Sequence, residues 1–176
     1  MILSGCIFSP KKRDVDPPPQ KPVYAIPASP EIALTNYLKA YESRDSTQMK
    51  LIYDEAYTGW SIDQTQPTGS QRADFTKADE VAHVAALARA PSISNVSLDF
   101  GSSLTRSTDL GDPPGLGWAT IQTSFVRLEI SDSPTSTSLV TSGETIAFKF
   151  SPKTPDSTSP TDTTWKIVQW SEFYNP

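Results

Sequence analysis

Along the first part of the chain apolar residues return at helical spacing. Leu34, Tyr37, Leu38 and Tyr41 fall at i, i+3, i+4 and i+7, one stripe of an amphipathic helix. Ser29 offers a hydroxyl to cap a free backbone N–H, and Pro30 costs nothing at the first helical position, so a helix is expected from there to about Arg44. Asp45 opens a second start, with Gln48 three residues on as in a capping box. Met49, Ile52, Tyr53 and Ala56 then repeat the spacing and predict a short second helix. Tyr57 to Asp63 is aromatic and β-branched enough for a strand, and the polar stretch Gln64 to Arg72 reads as a loop. Thr76 and Asp79 form another capping pattern ahead of a third helix, which places Val81, Val84, Ala85 and Ala88 on one face, runs to Arg89 and is stopped by Pro91.

Beyond Pro91 the period changes to two. A shorter strand near Ile93 to Leu104 precedes three long ones, at about Gly117 to Ile130, Leu139 to Ser151 and Thr164 to Tyr174. Ile146, Phe148 and Phe150 alternate with Ala147 and Lys149, which predicts one buried face and one wet face. The connections Asp109 to Leu116, Ser131 to Ser138 and Pro152 to Asp162 are rich in Pro, Gly, Ser, Thr and Asp. Strands joined in sequence by such loops predict an antiparallel meander. Helices first and strands afterwards is an α+β layout, a curved sheet wrapped around helices.

The N-terminal stretch has a different character. Leu3-Ser4-Gly5-Cys6 resembles a bacterial lipobox: aliphatic, small, small, then the cysteine whose thiol takes a diacylglycerol. From Ser9 to Pro30 the chain carries Pro10, Pro17, Pro18, Pro19, Pro22, Pro27 and Pro30, which cannot donate ladder hydrogen bonds and favour extended polyproline conformation. At ~3.1 Å per residue such a spacer reaches roughly 70 Å. Residues 1–8 are therefore expected to be the remnant of a lipoprotein signal, 9–28 a proline-rich tether, and 29–176 a single folded domain. The bland alternative is a chance apolar end on a cytosolic protein. Lipidation of Cys6 would attach the chain to the cell envelope without spanning the membrane. Ile7, rather than Asp, after that cysteine implies the outer membrane if the source has two membranes.

Charge narrows the partners. Fifteen basic against twenty acidic residues give a net charge of -5, and no basic cluster is interleaved with aromatics, so nucleic acid is not an expected partner. Lys11-Lys12-Arg13 is offset by Asp14 and Asp16 and reads as solvated linker. A single cysteine excludes an internal disulfide and any cysteine-based metal cluster, and no metal or other cofactor is expected.

The segments PEIALTNYLKAYESRD, YDEAYTGW and WKIVQWSEF resemble the nuclear transport factor 2-like (SnoaL-like) superfamily, and the resemblance covers Ser29 to Pro176. It implies three N-terminal helices and a strongly curved antiparallel sheet that together form a cone. It also implies that the cone often holds a ligand, that enzymes among its members (isomerases, dehydratases, cyclases) use an Asp, His or Tyr inside it, and that the open sheet face often forms a homodimer. Many members are binding modules without activity, so fold does not decide function.

The residues that carry chemistry are few. His83 is the only histidine. With Val81 taken as the centre of the buried stripe it lies about 200° round the helix, facing solvent near Asp79, which favours a surface pair over a general base. Asp54 and Glu55 point about 100° apart if helical and cannot act as an acid–base pair. Asp63 ends a strand and reads as a turn residue. No Gly-x-Ser-x-Gly elbow is present, and the glycines of Gly111 to Gly117 are interrupted by Pro113 and Pro114, a turn rather than a nucleotide loop. Asn95-Val96-Ser97 is a glycosylation sequon without expected meaning in a bacterial lipoprotein. Trp60, Trp118, Trp165, Trp170, Tyr37, Tyr41, Tyr53 and Tyr57 fill a core or line a ligand pocket, and Trp60, Trp118 and Trp170 are the candidate pocket residues. No catalytic residue is assigned. The expected function is a lipid-anchored, non-catalytic envelope domain that binds a small apolar ligand or a protein partner. The alternative is a SnoaL-like enzyme performing proton transfer in the cone.

Overall fold

Ser29 caps the first helix as its position requires. Its Oγ accepts from the backbone N–H of Ile32 at 3.3 Å, and helix α1 runs Pro30–Glu42. The structure is a computed structural model of the chain, and the residues it describes are 21–63, 71–102, 104–132, 136–153 and 163–174. Asp45 caps α2 (Ser46–Ile52) through Gln48 N–H at 3.0 Å. Between the two helices Arg44 adopts the left-handed conformation (φ 55°) and its guanidinium donates to the Ile93 carbonyl at 2.7 Å, which ties the reversal to the sheet.

Seven strands among the described residues build one sheet: β1 (Tyr53–Asp63), β2 (Gln71–Thr76), β3 (Ile93–Asp99), β4 (Thr105–Ser107), β5 (Ala119–Asp132), β6 (Ser136–Lys153) and β7 (Thr164–Tyr174). Helix α3 (Lys77–Arg89) lies between β2 and β3, and its capping box of Thr76 and Asp79 is complete. The sheet order is β2-β1-β7-β6-β5-β3, with β4 on β5. The run β3-β5-β6-β7 is antiparallel, as the alternating pattern predicts. The pair β1–β7 is parallel, so the sheet is mixed rather than wholly antiparallel.

Two sequence expectations are corrected at the start of the sheet. Tyr53 and Ala56 do not extend the second helix: α2 ends at Ile52, and Tyr53 already pairs with Ile167 of β7. Burial of Tyr53 against that strand outweighs a helical spacing carried by one further turn. Residues 71–76, expected to be loop up to Arg72, form β2 along the free edge of β1.

Register interruptions between Thr123 and Phe125 and between Lys149 and Phe150 let the two longest strands bend. On the concave side Ile121 pairs with Phe148 and Phe148 with Trp170. There Tyr37 of α1 packs edge-on against Phe148, with ring centroids 5.2 Å apart, and stacks on Phe100 at 6.3 Å. On the convex side Lys149 is not wet as expected. Asp109 and Asp112 reach it at 2.8 and 2.7 Å, its side chain is 13% exposed, and Ala147 beside it is buried. The Asp109–Gly117 turn is thereby pinned to the sheet.

The folded body takes in residues that the proline pattern assigns to the tether. Asn36 of α1 receives the N–H of Ala25 at 3.2 Å and donates to its carbonyl at 2.7 Å. Tyr24 Oη donates to Asp45 at 3.0 Å, and the Trp165 N–H donates to the Pro27 carbonyl at 2.7 Å. Each such bond is worth about 0.5–1.5 kcal/mol net. Cys6, Lys11-Lys12-Arg13 and Pro10 to Pro19 lie outside the described residues. Among the described residues no helix is long and apolar enough to cross a membrane.

Candidate functional site

The capping box fixes where α3 begins and therefore which of its side chains turn inward. Glu80, Val84 and Leu87 stand at i, i+4 and i+7, and Val84 and Leu87 are buried in the core. Glu80 occupies the mouthward end of that stripe. It projects into a cavity of about 480 Å³ between α1, α3 and the concave face of the sheet.

The far wall of this cavity is apolar: Leu98 and Phe100 at the end of β3, Val126 and Leu128 of β5, and Ile146 of β6. Tyr37 and Tyr41 enter from α1, Phe75 from β2, and Trp170 with Glu172 from β7. Asp79, Glu80 and His83 enter from α3. The helices thus bring most of the polar groups to a largely hydrophobic chamber, with Glu172 on the sheet beside its partner Ile146, and a few placed polar groups in an apolar site orient a mostly apolar ligand.

Glu80 Oε1 accepts a hydrogen bond from Tyr57 Oη at 3.0 Å. Tyr57 is buried and its phenol folds back across its own strand at Gly59, where a Cβ would stand 2.5 Å from that same Oη. A glycine is needed there for the phenol to reach Glu80. Burial pushes the Glu80 carboxyl above its ordinary value; the Tyr57 hydrogen bond pulls the other way and the neighbouring Asp79 charge adds to the rise. The phenols near it are all held in the protonated form. Burial, then the Glu80 charge, raises Tyr41 to about 12, and the same two causes lead at Tyr57. Burial also raises Tyr37 and Tyr53 well above the ordinary range.

His83 is exposed, as expected, but its partner is not Asp79. Its Nε2 shares a 2.8 Å hydrogen bond with Tyr41 Oη and the ring lines the cavity mouth. Asp79 is engaged by Thr76 instead. Partial desolvation of the ring lowers its pKa, so the imidazole is neutral near pH 7. Val81 is half-buried against the core as expected, and Glu80 beside it is half-buried too, so the inward face of α3 takes in both, with Val84 and Leu87 fully buried. Glu80 is absent from the sequence-derived candidates; its i, i+4, i+7 spacing with Val84 and Leu87 is the signal that would mark it.

Of the three candidate pocket tryptophans, the structure brings Trp170 to the cavity, where it packs against Phe75 at 5.8 Å. Trp60 is one residue out of phase with Gly59, which pairs with Trp170, and so points to the convex face. It meets Phe173 edge-on at 4.6 Å, with the Arg72 guanidinium 5.0 Å from its ring. Trp118 precedes β5, and its indole N–H is buried without a partner among the described residues. Asp54 and Glu55 lie in β1, not in a helix, and pair outward with Lys153 at 3.0 Å and Lys77 at 2.8 Å. Asp63 closes β1. No group of three His, Cys, Asp or Glu side chains placed to hold a metal occurs among the described residues.

No protein-family model matches the sequence, and no curated protein sequence matches it either. Solved structures do. An uncharacterised protein with a cystatin-like fold from Caulobacter vibrioides is similar at 10% identity over 83% of this chain and 87% of its own, with a TM-score of 0.52. A nuclear transport factor 2-like superfamily protein from Salmonella enterica serovar Typhimurium is similar at 13% identity over 80% and 84%, TM-score 0.48. An NTF2-like protein from Streptomyces avermitilis, provisionally assigned as a dehydratase, is similar at 10% identity over 83% and 93%, TM-score 0.47. At such identities the likeness concerns fold alone. The α+β cone, three helices held in a strongly curved sheet, is the fold of this chain.

The raised pKa of Glu80 has a signed consequence for stability. A carboxyl that binds its proton more tightly when folded contributes stability that is fully present below its ordinary value of 4.5 and is lost as pH rises through the folded value. Glu80→Gln removes this loss. The melting temperature of Glu80→Gln minus that of wild type is expected to climb as pH rises above 4.5. A difference that stays flat or falls across that range would contradict the assignment.

Proposed function

We propose that this domain binds a small, largely apolar molecule in its cone, and that a lipid on Cys6 holds it at the bacterial cell envelope. The observation that carries the binding reading is the open 480 Å³ cavity, lined mostly by apolar side chains with a few polar groups among them. Its size falls in the range of about 300–1,000 Å³ typical of small-molecule sites. The anchor rests on Leu3-Ser4-Gly5-Cys6 and on the prolines that follow it. In a double-membraned source the outer membrane is the location, because Ile7 rather than Asp follows the cysteine. A homodimer through the sheet fits less well, since the Asp109–Gly117 turn occupies part of the convex face through Lys149.

One observation favours catalysis as a second reading. A half-buried carboxyl with a raised pKa stands beside open volume, braced by a phenol that stays protonated. Such a group can take a proton from a carbon next to a carbonyl and return it to another carbon, as an isomerase does, or to a β-hydroxyl whose C–O bond breaks to release water, as a dehydratase does. With His83 Nε2–H donating to Tyr41 Oη, the Tyr41 hydroxyl at the mouth can donate to an oxygen of that molecule.

Leu128→Trp fills the cavity from β5 and tests the binding reading with a neutral fluorescent probe, N-phenyl-1-naphthylamine. Wild type is expected to bind it, and Leu128→Trp to bind at least about tenfold more weakly while still melting cooperatively. Equal binding by both proteins would place the probe elsewhere and defeat the reading. For the anchor, the chain expressed with its native upstream sequence should carry acyl mass on Cys6 and sediment with membranes; Cys6→Ser should be soluble. A wild-type chain that is soluble and unacylated would refute it.

A further inference from the structure

We infer that the molecule taken up by the cone is a lipophilic cation, a small hydrophobic amine, with its ammonium at Glu80 and its apolar body against the sheet. The inference rests on the reading of the cone as a ligand site and names the class of ligand.

The side chains that could carry charge at the cavity are Asp79 and Glu80 of α3, Glu172 of β7 and His83 of α3; none of the residues lining it is Lys or Arg. His83 is held neutral against Tyr41. The basic side chains on neighbouring elements are directed elsewhere. Lys77, at the start of α3, donates to the Tyr53 carbonyl at 3.0 Å and to Glu55 at 2.8 Å. Lys149 is locked between Asp109 and Asp112 on the convex face, and Arg72 lies over Trp60 on that same face. Among the described residues the chamber is therefore lined by carboxylates and by no Lys or Arg.

An anionic ligand would meet Glu80 and Asp79 with no Lys or Arg among the described lining residues to offset them. A wholly apolar one would leave Glu80 desolvated and without a counter-charge, which is the condition that raises its pKa. An ammonium supplies the counter-charge. The aromatic side chains Tyr37, Tyr41, Phe75 and Trp170 line the same cavity, and an aromatic ring attracts a cation to its face. Asp79, fixed at the rim by Thr76, adds negative potential where a ligand enters.

Three isosteric probes separate the alternatives: 2-(biphenyl-4-yl)ethylamine, 2-(biphenyl-4-yl)ethanol and biphenyl-4-ylacetate, titrated calorimetrically at pH 7 into wild type, Glu80→Gln and Leu128→Trp. The amine is expected to bind wild type about tenfold more tightly than the alcohol, and the acetate to bind least. In Glu80→Gln the amine-to-alcohol ratio should fall to within about threefold of one, and Leu128→Trp should weaken the amine. An alcohol or acetate bound as tightly as the amine overturns the cation preference and leaves the cone as a ligand site. Amine binding that neither substitution changes would be surface attraction to a chain of net charge -5, and overturns the inference. Failure of all three probes to bind removes the ligand reading and the inference with it.

Discussion

The concave face of a strongly bent sheet is larger than three short helices can cover, and what they leave uncovered is the site. Tyr37 of α1 closes one part by packing on Phe148 and Phe100, while Val84 and Leu87 of α3 close another. Between them the inner walls of β3, β5 and β6 stay open and apolar. The bend that creates this space comes from the bulges in β5 and β6, because an unbroken pair of strands of that length would twist without closing over the helices.

Into this space the chain places a carboxyl, which is costly to desolvate and would weaken the fold if left alone. Several features make it tolerable. The Tyr57 hydroxyl donates to it, Gly59 clears the path for that phenol, and the cavity mouth leaves the group only half-buried. Glu80 is accordingly a group whose cost the fold partly offsets and whose chemistry is altered by its surroundings, a combination found more often at functional sites than in plain cores. Lys77, Lys149 and Arg72 are engaged outward or on the convex face, and no Lys or Arg lines the chamber among the described residues.

Much of this fold is legible in the sequence. The caps at Ser29, Asp45 and Thr76 mark the helix starts, and Ile146, Phe148 and Phe150 mark the concave face of β6. Local signals of this kind are short-range and survive folding. The features that local pattern misses depend on partners distant in sequence. Tyr53 leaves the helical pattern because β7, more than a hundred residues on, pairs with it, and β2 forms because β1 offers a free edge. Lys149 is covered because two aspartates forty and thirty-seven residues earlier fold back on it. Glu80 is missed for a subtler reason: hydropathy assigns the inward face of α3 to Val81 and leaves its charged neighbour to solvent, whereas both are half-buried. Among the tryptophans a single step of strand phase separates Trp170 inside from Trp60 outside.

The N-terminal segment connects the two halves of the functional reading. Residues from Val23 to Ala28 are stitched to α1 and to Trp165, so a tether anchored at Cys6 would join the body beside the helices rather than at the sheet edge. The site as a whole depends on Glu80 being a desolvated carboxyl in an open cone, and the carboxyl carbon of that residue reports it directly. A carbon-13 NMR titration, with the resonance assigned by its loss in Glu80→Gln, is predicted to give a midpoint above the ordinary 4.5. A midpoint at or below 4.5 would mean that water reaches the group freely, and would contradict the site described.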